Sequence, residues 1–99
     1  MYYRGKNQAS PVLVTYAMKN RGSRCAYGIT TGKKIGGAVQ RNRARRIIRV
    51  AYRNLEGHIN GGWDFVFVAR SKTTKVREQE VERAMLSQLI AVGAIDEKA

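Results

Sequence analysis

Ninety-nine residues make one domain, or one domain with a tail, able to bury roughly 64% of its unfolded surface in a single modest core. Apolar residues at 43% and charged residues at 26% exclude a wholly disordered chain, no apolar run approaches the ~20 residues of a membrane helix, and one cysteine excludes an internal disulfide or a multi-Cys zinc cluster. Nineteen Lys and Arg against seven Asp and Glu give a net charge of +12, with 13 basic side chains and no acid in residues 1–53 and the remaining six beside all seven acids in residues 54–99. A field of that sign and asymmetry implies an anionic polymer as partner, held by the first half of the chain.

The elements follow in order. A short strand is expected between Gly5 and Ala9. Pro11 opens a β-branched and aromatic run, Val12 to Met18, in which Val12, Val14, Tyr16 and Met18 share one face and Leu13, Thr15, Ala17 and Lys19 the other. Asn20-Arg21-Gly22-Ser23 has turn chemistry, and Arg24 to Thr31 is a second long strand, so the two are expected to pair as a hairpin.

After the glycine-rich break at Gly32 to Gly37, a helix is predicted from Ala38 to Leu55. At about 100° per residue, Ala44, Ile47, Ile48, Ala51 and Leu55 fall within one stripe about 100° wide. Arg45, Arg46, Arg49 and Arg53 cluster on the opposite side with Asn42, and Arg41 and Arg43 flank the stripe. Such a helix docks on a sheet with one face and presents guanidiniums with the other.

Gly61-Gly62 marks a turn. Trp63 to Ala69 is nearly continuous and apolar, the pattern of an interior strand covered on both faces. Thr73 or Thr74 is a candidate cap for a last helix, whose positive end suits Glu78, Glu80 and Glu82 and whose buried face reads Val81, Ala84, Met85, Leu89 and Val92. The domain is expected to span residues 1–95, with 96–99 as a tail.

Lys33 to Arg53 carries eight basic residues, six of them arginine, and no acid. Neighbours of one sign at i, i+4, such as Arg41, Arg45 and Arg49, repel one another, so a merely solvated face would mix signs. Arginine also suits bidentate phosphate contacts and stacking on bases. A phosphate-binding helix is the reading these residues support.

The gapless string Lys33-Lys34-Ile35-Gly36-Gly37-Ala38-Val39-Gln40-Arg41-Asn42-Arg43-Ala44-Arg45-Arg46-Ile47-Ile48-Arg49 resembles the RNR signature of the bacterial ribonuclease P protein subunit. Tyr3-Arg4-Gly5-Lys6 is similar to the family's segment before its first strand, and Trp63 to Arg70 to the strand after its RNR helix. Two features depart from the pattern. The chain begins near the end of the family's first helix, which supplies one cleft wall, and Val50 stands where many members carry an acid or amide.

The resemblance implies an α+β two-layer sandwich. It would have a mixed sheet of about four strands, the RNR helix in a left-handed β-α-β crossover, and a C-terminal helix. General chirality alone favours a right-handed crossover. It implies a protein subunit that assists a catalytic RNA in removing the 5′ leader of precursor tRNA. That RNA would hold the Mg2+ ions of the reaction, with none tightly bound by the protein. The implied partners are the catalytic RNA subunit and precursor tRNA, with no membrane and no obligate protein partner, in the cytoplasm. The implied RNA-binding set is Lys33, Lys34, Arg41, Asn42, Arg43, Arg45, Arg46, Arg49 and Arg53. The implied leader cleft takes Tyr2, Tyr3, Lys6, Asn7 and Tyr16, walled by the sheet and the RNR helix, in keeping with aromatic stacking in a basic groove.

Other residues point to packing: Tyr27 and Tyr52, Trp63, Phe65 and Phe67, and Cys25 as a small apolar residue. His58 reads as a surface histidine. The carboxylates Glu56 and Asp64 and those of the last helix show no ligand spacing, which argues against a nuclease acting alone, and no catalytic residue is assigned. The alternative from another class is a structural ribosomal RNA-binding protein, which would have no use for a single-strand groove.

Overall fold

The computed structural model describes residues 6–22 and 24–96, and places six elements in the order β1 (Lys6–Ala9), β2 (Leu13–Lys19), β3 (Ala26–Thr30), α1 (Ala38–Glu56), β4 (Trp63–Ala69) and α2 (Glu78–Val92). A 3-10 turn, Lys33–Ile35, precedes α1. The strands form one mixed sheet in the order β1-β2-β4-β3; β1 with β2 and β2 with β4 are antiparallel, while β3 and β4 are parallel and joined through α1.

The expected hairpin of β2 with β3 does not form, because β4 lies between them. The turn that follows β2 is built to admit it. Asn20 Oδ1 accepts from the Gly22 amide at 2.9 Å, Asn20 Nδ2 donates to the Arg24 carbonyl at 3.0 Å, and the Asn20 amide donates to the Gly62 carbonyl at 3.1 Å. A Cβ at Gly62 would overlap Asn20 Oδ1 and the Gly22 carbonyl, so only glycine lets the chain enter the sheet at this point. The most apolar strand thereby gains hydrogen-bonded neighbours on both edges.

β4 is also covered on one face only. Trp63, Phe65, Phe67 and Ala69 are buried, whereas Asp64 and Val66 are exposed and Val68 is half-buried. An apolar open face imitates the pattern of a doubly covered strand, which is why the sequence suggested two covers.

Both helices lie on the same side of the sheet, α1 over β3 and β4, α2 over β1 and β2. The predicted stripe of α1 is buried in full, and Tyr52 joins it. Tyr52 packs tilted against Tyr27, with ring centroids 4.3 Å apart, and lies 5.7 Å from Phe67; Phe65 lies 5.7 Å from Phe67 and 6.0 Å from Trp63. Each fully buried side chain of this size contributes about 1.5–3 kcal/mol, so this ladder is a large share of the core. Burial pushes the Tyr52 phenol above its ordinary range, reinforced by the neighbouring Cys25 and Glu56, and its hydroxyl has no hydrogen-bond partner of good geometry.

On α2 the predicted face holds, with Val81, Met85, Leu89 and Val92 buried and Ala84 half-buried, and Gln88 is buried among them. Neither Thr73 nor Thr74 caps the helix. The N-cap is Arg77, without a side-chain bond, and Glu78 and Glu80 occupy the first turn. The buried Thr73 hydroxyl is occupied instead: it donates to the Val12 carbonyl at 2.7 Å and accepts from the Arg70 amide at 2.9 Å. Those two backbone groups need a buried partner more than the solvated helix start does.

Candidate nucleic-acid interface

α1 begins after a forced backbone turn. Gly36 has φ 130°, a conformation that side chains rarely adopt, and Gly37 is the N-cap without a side-chain bond. No acid stands in the first turn, so the positive end of the helix dipole is uncompensated. From there Asn42, Arg43, Arg45, Arg46, Arg49 and Arg53 are exposed and Arg41 is half-buried. Among the described residues none of these guanidiniums is ion-paired; Asn42 accepts a long 3.4 Å contact from Arg45. The anchored helix therefore offers a row of free cations, while Glu82, which accepts from Asn54 at 2.8 Å, closes the flank toward α2.

Among the described residues no helix covers the opposite side of the sheet. Register places Asn7, Val14, Tyr16, Met18, Val66 and Val68 on it. Tyr16 is 49% exposed, so its ring is available for stacking and is not a core residue. At one end of this face a hollow of about 840 Å³ is lined by Val14, Tyr16 and Val68 with Lys34, Arg70 and Ser71 around them. An apolar floor with a cationic rim is the arrangement a single-stranded nucleic acid binds.

Asn7 lies opposite Tyr16 and shares its face. Lys6 does not line the cleft: it is registered with Ala17, and strand alternation turns it to the helix-covered side. Tyr2 and Tyr3 lie outside the described residues. Lys33 and Lys34 are in the 3-10 turn, and Lys34 reaches the hollow. The RNR helix is not a cleft wall, because it packs on the other face of the sheet. The walls at this end are the 3-10 turn and the loop after β4. Sequence reasoning missed Val66, Val68, Arg70 and Ser71. The clue was that the aromatics Trp63, Phe65 and Phe67 take alternate positions, which leaves Val66 and Val68 on the other face, with Arg70 following at once.

The family model for ribonuclease P matches residues 1–92. The chain belongs to the ribonuclease P protein family. It is 43% identical over 86 residues to the ribonuclease P protein component of Pelotomaculum thermopropionicum, covering 87% of this chain and 77% of that one. The Staphylococcus aureus RNase P protein superposes with a TM-score of 0.81 at 25% identity, covering 96% of this chain and 87% of that one. A mutant of the S. aureus protein, described as having defective mRNA degradation activity, superposes at 0.79 with 26% identity over 91% of this chain and 76% of that one.

As a ribonuclease P protein, the chain is a subunit of the ribonucleoprotein that acts in 5′ maturation of tRNA, and its partner is the ribonuclease P RNA. Membership decides against the structural ribosomal protein, and it accounts for the α+β architecture of four strands and two helices.

Proposed function

We propose that the two faces of the sheet serve two RNAs. The guanidinium row of α1 docks the ribonuclease P RNA, and the open face holds the single-stranded 5′ leader of precursor tRNA. The observation that carries the second half is Tyr16, half-exposed on an apolar platform that ends in Lys34 and Arg70. Binding the leader beside the catalytic RNA holds the substrate in place for cleavage, a positioning role that needs no reacting group from the protein. The cytoplasm, where the RNA and its substrate meet, is the compartment this reading assigns.

Mg2+ takes oxygen ligands, usually several waters with one or two carboxylates and phosphate oxygens. Among the described residues no three His, Cys, Asp or Glu side chains converge to hold a metal ion. The reading therefore leaves the ion to the RNA and routes no step through the protein.

Reconstitution tests this. Purified protein with ribonuclease P RNA at low magnesium should cleave precursor tRNA at the mature 5′ end far faster than the RNA alone. Protein without RNA should leave precursor tRNA intact. Robust cleavage of precursor tRNA or of an mRNA by the RNA-free protein would overturn the division of labour.

A further inference from the structure

Among the described residues, the open face is almost free of charge along its length, with one exception. Asp64 is registered opposite Met18 on β2 and beside Ala26 on β3, which puts it on the same side as Tyr16 and Val66. It is exposed, and one carboxylate oxygen accepts from Asn20 Nδ2 at 3.2 Å. No cation pairs with it among the described residues. The other described acids lie off this face: Glu56 ends α1, Glu78, Glu80 and Glu82 open α2, and Asp96 follows α2. A lone unpaired carboxylate on a surface for a polyanion has to be accounted for.

Its position supplies the account. The cations Lys34 and Arg70 ring the end of the face near Val14 and Val68, and Asp64 lies four residues back along β4 from Val68. At ~3.3 Å per residue those ends are about 13 Å apart, room for roughly two to four nucleotides of a single strand. We infer that Asp64 is the boundary of the leader path: it repels the phosphate that would continue past Met18, so the cleft engages a short and fixed stretch of leader. This inference rests on the leader reading proposed above. Asp64 also holds Asn20 and so the turn after β2, but an asparagine at position 64 would still accept that exposed bond through its Oδ1. The charge is the part that structure alone does not need.

The experiment uses the holoenzyme reconstituted with ribonuclease P RNA, and precursor tRNAs with leaders from about one to about ten nucleotides, a span set by typical single-strand site sizes. Affinity for the wild-type holoenzyme should rise with leader length and then level off. In Asp64→Asn the levelling should move to leaders longer by about one or two nucleotides, and the final affinity should tighten roughly threefold to tenfold. Asp64→Glu, which keeps the charge, should behave as wild type, and thermal midpoints of all three proteins should agree. If Asp64→Asn levels off at the wild-type length and affinity, or binds long leaders more weakly, the boundary is overturned and the leader reading stands. If wild type itself shows no dependence on leader length, both fall.

Discussion

The Thr15 hydroxyl donates to the Gln88 side-chain oxygen at 2.6 Å in the interior between β2 and α2, and Gln88 Nε2 donates onward to the Leu13 carbonyl at 2.8 Å. Thr15 stands between Val14 and Tyr16 in sequence but faces the other way. The back of the strand is thus fastened to α2 where its front carries the exposed ring of Tyr16. Gln88→Ala should cost about 2–3 kcal/mol, since it strands a buried hydroxyl and opens a cavity. The Leu13 carbonyl keeps its bond from the Ser10 amide at 2.9 Å. Removing both partners together as Thr15→Val with Gln88→Leu should cost clearly less than the two single changes summed. Urea unfolding midpoints decide this.

The two sides of α1 should separate fold from binding. Ile48 is fully buried and Arg49 exposed. Ile48→Asp places an unpaired charge in the helix–sheet interface, at a cost of several kcal/mol against a total stability of about 5–15 kcal/mol, and should unfold the domain. Arg49→Asp should melt at nearly the wild-type temperature and lose RNA affinity. Circular dichroism and filter binding read the two effects independently.

Affinity for the ribonuclease P RNA should fall steeply with salt, because each neutralised phosphate releases counterions. Arg45→Ala, Arg46→Ala and Arg49→Ala should each lower the log–log salt slope by something under one, on the order of 0.7–0.9. A slope unchanged in all three variants would remove this face of α1 from the RNA interface.

Tyr16→Ala should weaken precursor tRNA binding by the holoenzyme by ~1–3 kcal/mol, the usual loss of one base stack, and leave mature tRNA binding nearly unchanged. Its half-exposed ring predicts little change in thermal midpoint. Equal loss for both ligands together with a lowered midpoint would mark it as a packing residue.

Tyr52 should govern part of the alkaline limb of the stability profile. Its phenol is held above the ordinary value of 10.0 in the folded protein, chiefly by burial. The folded state then retains a proton that the unfolded state releases, so stability is fully present below pH ~10 and declines as pH rises beyond it. Tyr52→Phe removes a buried hydroxyl without a partner, so it should be neutral or stabilising at pH 7 and should flatten the decline above pH ~10. Thermal melts across pH measure both.

The core face of α1 was legible because a 3.6-residue period separates Ala44, Ile47, Ile48, Ala51 and Leu55 from the arginines without ambiguity. The pairing of the strands was not. Turn chemistry at Asn20 to Ser23 looks the same whether the chain doubles back to pair or leaves a gap, and the socket for Gly62 depends on residues about forty positions apart. The cleft was half legible. Tyr16 stood out as an aromatic beside a basic segment, but Val66 and Val68 are apolar on the uncovered face, and composition cannot tell such a surface from a core. Gln88 hid for the reverse reason: a polar residue on an apolar stripe has meaning only once Thr15 is found opposite it.

The late position of β4 in the chain, and its central position in the sheet, govern how the protein comes into being. β3 pairs with β4 and with no other strand, so the chain through Gly62 can assemble at most the β1–β2 hairpin, which is marginal by itself. As synthesis proceeds, the basic helix leaves the ribosome before the strand that gives its apolar stripe a surface to settle on. Contacts this distant close late and together. Nascent chains should therefore pass from a loose polycation to the finished sheet in one step, with no stable stage at which the basic helix is anchored and the open face of the sheet is not yet built.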